Sequence, residues 1–196
     1  MSWGWAFRCS FKILTWEKSM NKEYYNFDDV KKLTQEILRQ ISLDDWRPDY
    51  IVGITRGGAV PAVLLSQYLK VPMNALKVSL RDHAATESNC WMAEDAFGYE
   101  YNDAPASGNS KKNILIVDDI NDSGATFNWI VADWQANCLP DDPQWSDVWN
   151  NNVRFAVLVD NLSSNFQGVV RYAGAEINKA EADVWINFPW EDWWRT

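Results

Sequence analysis

Apolar residues recur along this chain in two rhythms. Val30, Leu33, Ile37, Leu38 and Ile41 fall three or four apart, which predicts an amphipathic helix from about Phe27 to Ile41. Asn26 stands before it as an N-cap, with Asp28 and Asp29 in the first turn, where the helix dipole favours acids. Other stretches are unbroken apolar runs: Tyr50-Ile51-Val52-Gly53-Ile54, Ile114-Leu115-Ile116-Val117, and Val153 to Val159. Short runs of this kind, bounded by polar turns, read as strands buried on both faces of a parallel sheet. Met73 to Leu80 predicts a further strand. Pro61 to Leu69 predicts a helix with Val63, Leu64 and Tyr68 toward the core, and another helix continues from Phe127 to about Asn137. Strands alternating with helices predict an α/β domain with a mostly parallel core sheet flanked by helices.

Three stretches resist this reading. Residues 1–19 show no clear period, and Met20 is a candidate natural start that would make them an N-terminal extension. Arg81 to Lys112 is long, acidic and mostly without pattern, and contains Pro105-Ala106-Ser107-Gly108. Loops of this length in compact domains serve as lids or are insertions. Leu139-Pro140-Asp141-Asp142-Pro143 reads as a linker, its acids as solvated loop charges.

Composition narrows the function classes. The 196 residues suffice for one domain, here 20–196, with a sizeable core. The formal net charge of −9 argues against a nucleic-acid-binding surface. His83 is the only histidine, which excludes a multi-histidine metal site, and Cys9, Cys90 and Cys138 lack metal-ligand spacing. Free thiols in a reducing cytoplasm are the expectation. No stretch reaches the roughly 18 apolar residues of a membrane helix, and the N-terminus lacks a clean signal-peptide core. A cytoplasmic protein follows.

The candidate chemistry lies at the end of the Ile114–Val117 run. Asp118-Asp119-Ile120-Asn121-Asp122-Ser123-Gly124-Ala125-Thr126 places two adjacent carboxylates at a strand end, then a polar glycine turn and a helix start. Backbone N–H groups in such a turn hold phosphate. Adjacent carboxylates repel phosphate but suit sugar hydroxyls or a divalent cation. Upstream, Thr55-Arg56-Gly57-Gly58 follows the Tyr50–Ile54 strand. Glycines there allow close ligand approach, and Arg56 offers a fork suited to phosphate oxygens.

The string Val117 to Thr126 resembles the phosphoribosyl pyrophosphate (PRPP) signature of type I phosphoribosyltransferases. The resemblance spans about Tyr25 to Trp190, with 86–110 and 139–152 as insertions relative to compact bacterial members. It implies the type I phosphoribosyltransferase fold with a small C-terminal hood over 160–196, and a mobile loop over 81–112 that closes on the reacting centre. It implies transfer of ribose 5-phosphate from PRPP to a nucleobase, with Mg²⁺ as cofactor and pyrophosphate as product. Asp118 and Asp119 would bind the ribose hydroxyls and the metal, and Asp122 would remove the base proton. Asp122, Ser123, Gly124, Ala125 and Thr126 would hold the 5-phosphate. Thr55, Arg56 and Gly57 would hold pyrophosphate, with a non-proline cis peptide at Arg56–Gly57. Lys77, Arg81 and His83 lie close enough in sequence to reach pyrophosphate.

Val184-Trp185-Ile186-Asn187-Phe188-Pro189-Trp190-Glu191 resembles the end of bacterial and archaeal xanthine-guanine and hypoxanthine phosphoribosyltransferases. That likeness implies that Trp185 stacks on a purine and that the backbone of Ile186 reads its edge. Purine-specific members place a lysine just after the strand that here ends at Val159; this chain has Asp160-Asn161-Leu162. Asn161 would then donate a neutral hydrogen bond to the base. Two other readings keep the PRPP site: a non-catalytic PRPP- or nucleotide-sensing regulator, and an enzyme with a non-purine acceptor. Family habit and abundant aromatics, including 13 tryptophans, point to a homo-oligomer.

Overall fold

The computed structural model describes residues 21–78, 90–98, 111–182 and 184–195. In chain order the elements are β1 (Asn21–Tyr24), α1 (Phe27–Leu43), β2 (Tyr50–Thr55), α2 (Ala59–Leu69), β3 (Met73–Lys77) and α3 (Cys90–Phe97). Then come β4 (Ile114–Asn121), α4 (Ala125–Asn137), α5 (Trp145–Asn150), β5 (Val153–Asn161), β6 (Val170–Ile177) and β7 (Val184–Asn187). A short 3-10 turn, Trp193–Arg195, follows.

Five strands form one parallel sheet in the order β3-β2-β4-β5-β6. The apolar runs lie where burial on both faces requires them. Val52, Ile54, Ile114 and Ile116 face a core shared with α3, α4 and α5. Ile51, Leu115 and Val117 face a second core shared with α1 and α2. α1 begins as its sequence predicts: Asn26 and Asp29 form a reciprocal capping box, with Asp29 N–H donating to Asn26 Oδ1 at 3.0 Å.

Three expectations need correction. α2 buries Ala62 and Leu65, while Val63, Leu64 and Tyr68 are exposed. Its sequence is apolar almost all round, so periodicity does not fix its inward face. α3 lies within the stretch read as patternless, yet Met92, Ala93 and Ala96 are fully buried. Asn152 binds it in place, donating from Nδ2 to the Ala96 and Lys112 carbonyls at 2.8 Å. The segment 139–152 also contributes to the core at its far end, where α5 buries Trp145 and Val148 and Trp145 stacks on Trp149. Last, β6 is an edge strand of the main sheet. The hood is therefore narrower than 160–196 and draws in β1, which pairs in parallel with β7 (Lys22 beside Trp185). Arg81, His83, residues 1–20 and most of 81–112 lie outside the described residues.

Among the described residues no helix is long and apolar enough to cross a membrane.

Candidate active site

In an open parallel sheet, ligands bind beyond the carboxyl ends of the strands. β2 and β4 are neighbours, with Gly53 opposite Val117, so the loop after β2 and the acids of β4 emerge side by side. The loop packs directly on the acid pair. A Cβ at Gly57 would lie 1.8 Å from Asp119 Oδ2, and one at Gly58 would lie 2.4 Å from the Val117 carbonyl. Only glycine permits this approach. The chain has its non-proline cis peptide at Thr55–Arg56, one bond before the expected Arg56–Gly57. Thr55 Oγ1 donates to the Leu76 carbonyl at 3.3 Å, tying the loop to β3.

Asp118 and Asp119 form the floor. Asp119 N–H donates to Asp118 Oδ1, and Ile120 N–H to Asp119 Oδ1, both at 2.9 Å. Burial and then repulsion from Asp119 push the Asp118 carboxyl well above the usual range. Burial raises Asp119 as well, opposed by hydrogen bonds from its neighbours. The ion pairs of the described residues leave both carboxylates out. Two crowded anions without a cation favour protonation or a bound cation. The Trp190 indole N–H is buried without a hydrogen-bond partner among the described residues, yet sits close enough to lower the Asp119 pKa.

Beyond the pair the chain bends through 122–124 and enters α4. Gly124 sits at φ +81°, and a Cβ there would meet Phe166 N at 2.2 Å, so the turn requires glycine. Gly124 at the N-cap has no side chain to cap α4, Ser123 Oγ accepts a long bond of 3.4 Å from Ala125 N–H, and the first turn carries no acid. The positive end of the helix dipole therefore meets the cavity with no acid in that turn. This cavity, about 1040 Å³, is lined by Thr55, Arg56, Lys77 and the whole run from Asp118 to Phe127. A second, about 1000 Å³, lies under the hood and is lined by Lys22, Arg56, Gly57, Asp119, Trp185 and Trp190, among others. Arg56 and Asp119 line both.

The structure thus brings together Thr55, Arg56, Gly57, Asp118, Asp119, Asp122, Ser123, Gly124, Ala125, Thr126 and Trp185. Two other candidates stand differently. Ile186 turns its side chain into the core at 5 % exposure, leaving only backbone for a ligand. Asn161, also 5 % exposed, is tied into the loop beneath the cavity. Its Nδ2 donates to the Asp122 carbonyl at 2.8 Å; its Oδ1 accepts from Ser163 Oγ, Ser163 N–H and Lys179 N–H. These bonds make it a brace for the loop. Sequence reading missed Lys179, whose Nζ lies 2.7 Å from Asp122 Oδ1. It follows β6, a strand without a clear apolar signal, so nothing in the sequence placed it near Asp122.

A family profile described as phosphoribosyl transferase domain matches residues 20–187. Hypoxanthine-guanine phosphoribosyltransferase of Schizosaccharomyces pombe is 25% identical over 193 residues, covering 86% of this chain and 88% of that one. Xanthine phosphoribosyltransferase 1 of Saccharomyces cerevisiae is 21% identical with the same coverage. Purine phosphoribosyltransferase from Pyrococcus horikoshii Ot3 superposes with a TM-score of 0.58 at 22% identity, covering 88% of this chain and 96% of that one. The match spans the sheet and the Asp118–Thr126 loop: this chain belongs to the phosphoribosyl transferase domain family and is a phosphoribosyltransferase.

Proposed function

We propose that this phosphoribosyltransferase joins the ribose 5-phosphate of PRPP to a purine. The observation that carries the proposal is the shared floor: Arg56 and Asp119 line both the phosphate cavity and the tryptophan-lined hood cavity. A sugar held on that floor would reach a phosphate site on one side and a flat apolar wall on the other. Trp185, 37 % exposed on β7, supplies that wall. The matched relatives named above act on purines by their names, which supports the same acceptor here.

The roles follow from position. Ser123 to Thr126 and the open start of α4 hold the 5-phosphate. Thr55, Arg56 and Gly57, with Lys77 at the facing strand end, hold pyrophosphate. Asp118 and Asp119 orient the ribose hydroxyls. Trp185 stacks on the base, and the Ile186 backbone borders its edge. The bond from the anomeric carbon to pyrophosphate breaks, the bond to the ring nitrogen forms, and Asp122 takes the proton that nitrogen loses. Asn161 keeps the Asp122 backbone in register.

The acid pair fits Mg²⁺. Two adjacent carboxylates with raised pKa and no ion pair suit a hard cation. The described residues hold no cluster of three or more His, Cys, Asp or Glu, which supports a cation that arrives with PRPP rather than one caged by protein. Bound there, Mg²⁺ would neutralise the leaving pyrophosphate. The exposed apolar residues Val63, Leu64 and Tyr68 of α2 and Leu43 of α1 support a homo-oligomer.

The test is pyrophosphate release from PRPP and Mg²⁺ across hypoxanthine, guanine, xanthine, adenine, uracil, orotate and no base. Release that requires a purine supports the proposal. Release with only uracil or orotate overturns the acceptor, and PRPP binding without release from any base would favour the regulator.

A further inference from the structure

The turn that carries Ser123 to Thr126 is held from behind. Residues 161–168, running from the end of β5 toward β6, pack against it, and none of them is among the described residues that line the two cavities. Phe166 anchors this loop in the core, its ring centre 5.2 Å from that of Phe127 and 5.0 Å from that of Phe155.

Asn161 and Asn165 reach carbonyls of the turn. Asn161 Nδ2 donates to the Asp122 carbonyl at 2.8 Å, and Asn165 N–H donates to the Ser123 carbonyl at 3.0 Å. A trans peptide is planar, so its N–H points opposite to its C=O. Carbonyls drawn back toward 161–168 therefore turn the next N–H groups, those of Ser123 and Gly124, toward the cavity that both residues line. Successive N–H groups on one side make an anion cradle.

Asn165 is held in turn by Asn128, in the first turn of α4. Asn128 donates from Nδ2 to the Asn165 carbonyl at 2.9 Å and accepts at Oδ1 from Gln167 N–H at 2.9 Å. Its own N–H donates to the Gly124 carbonyl at 3.0 Å, so α4 is served by its backbone and the amide is given to the loop. Asparagine is a weaker helix former than leucine, so the helix alone does not account for it.

Resting on the reading of Ser123 to Thr126 as the 5-phosphate site, we infer that Asn128 is a positioning residue for that site. By clamping Asn165 and Gln167 it keeps the Ser123 carbonyl turned back and the Gly124 N–H presented to the phosphate. The cavity wall ends at Phe127, so Asn128 acts through Asn165 and touches no ligand. Pyrophosphate, placed on Thr55 to Gly57, does not depend on this clamp.

The experiment measures dissociation constants for ribose 5-phosphate and for pyrophosphate by calorimetry in the parent and Asn128→Leu, with the Tm alongside. Leucine keeps a similar shape and removes both bonds. It should weaken ribose 5-phosphate about three- to tenfold, as loss of partly exposed hydrogen bonds does. Pyrophosphate should stay within about twofold. Equal losses for both ligands, as a general loosening of the fold would give, overturn the inference and leave the 5-phosphate reading intact. Unchanged binding of ribose 5-phosphate does the same. A parent that binds no ribose 5-phosphate overturns both. Should the variant fold poorly, amide hydrogen exchange in the parent decides. Ribose 5-phosphate should slow exchange at Asn165 and Gln167 N–H, and pyrophosphate should not; exchange there that ribose 5-phosphate leaves unchanged refutes the inference.

Discussion

Alanine at Gly57 should separate the ligand site from the fold. The three atoms nearest to a Cβ at Gly57 all belong to the Asp119 carboxylate, at 1.8, 2.4 and 2.8 Å. Ordinary contact begins at 3.4 Å, so the methyl stands about 1.6 Å too close. The carboxylate must swing away and give up the hydrogen bond from Ile120 N–H. One partly exposed hydrogen bond is worth about 0.5–1.5 kcal/mol, so the Tm should fall only a few degrees. Misplacing a ligand-binding group by about 1 Å costs roughly 10²-fold, or about 2.7 kcal/mol of transition-state stabilisation. Gly58→Ala is the control. Its Cβ would strike backbone, the Val117 carbonyl at 2.4 Å and Asp118 Cα at 2.7 Å, which cannot rotate aside. That variant should lose stability first. The assay is pyrophosphate release against PRPP concentration, with thermal unfolding of both variants. A Gly57→Ala enzyme within about threefold of the parent in kcat/KM, or one as unstable as Gly58→Ala, refutes the reasoning.

Asp122→Asn should lower kcat by roughly 10²-fold or more while sparing PRPP affinity, since it removes a proton acceptor and leaves the phosphate loop; equal turnover would take Asp122 out of the mechanism. Trp185→Ala should weaken base binding by about 1–3 kcal/mol, the worth of one aromatic stack, with a small change in Tm because the ring is 37 % exposed; unchanged base affinity would make it a packing residue. Asp118→Asn should raise the Tm of the ligand-free protein at neutral pH while lowering activity. Its folded pKa lies above the unfolded value, so the parent carries the penalty once pH rises through the folded pKa and is free of it below the unfolded one. The gain should therefore shrink as pH falls, and a Tm below the parent's at neutral pH would contradict it.

The sheet was legible because burial on both faces writes itself as an apolar run. β2, β4 and β5 show that run, and their parallel register places the acid pair beside the Gly57 loop. Other elements carried no comparable mark. β1 is exposed along its whole length and exists through pairing with β7. α3 is an eight-residue helix inside a long acidic stretch, buried through three small or flexible apolar residues and one aromatic. α2 shows the opposite problem: with apolar residues on most faces, its packing side is set by which face meets β2 and β4, and periodicity does not record that.

The site divides along the same line. Groups contributed by one continuous motif, Asp118 to Thr126, could be read in order, because the strand-turn-helix that positions them is local. Groups that meet only through topology could not. Lys179 lies 57 residues from Asp122, and the two meet because β6 runs parallel to β5 and its exit lies beside the β4 loop. Asn161 reads from the sequence as a base-facing donor, and the sequence does not show what it holds together. Once β5 and β6 are adjacent, its buried amide bridges the two loops. The asparagine at the end of β5 and the lysine after β6 are thus joined by the backbone: Asn161 Oδ1 accepts from Lys179 N–H while its Nδ2 donates to the Asp122 carbonyl, so the exits of two adjacent strands hold the Asp122 loop together.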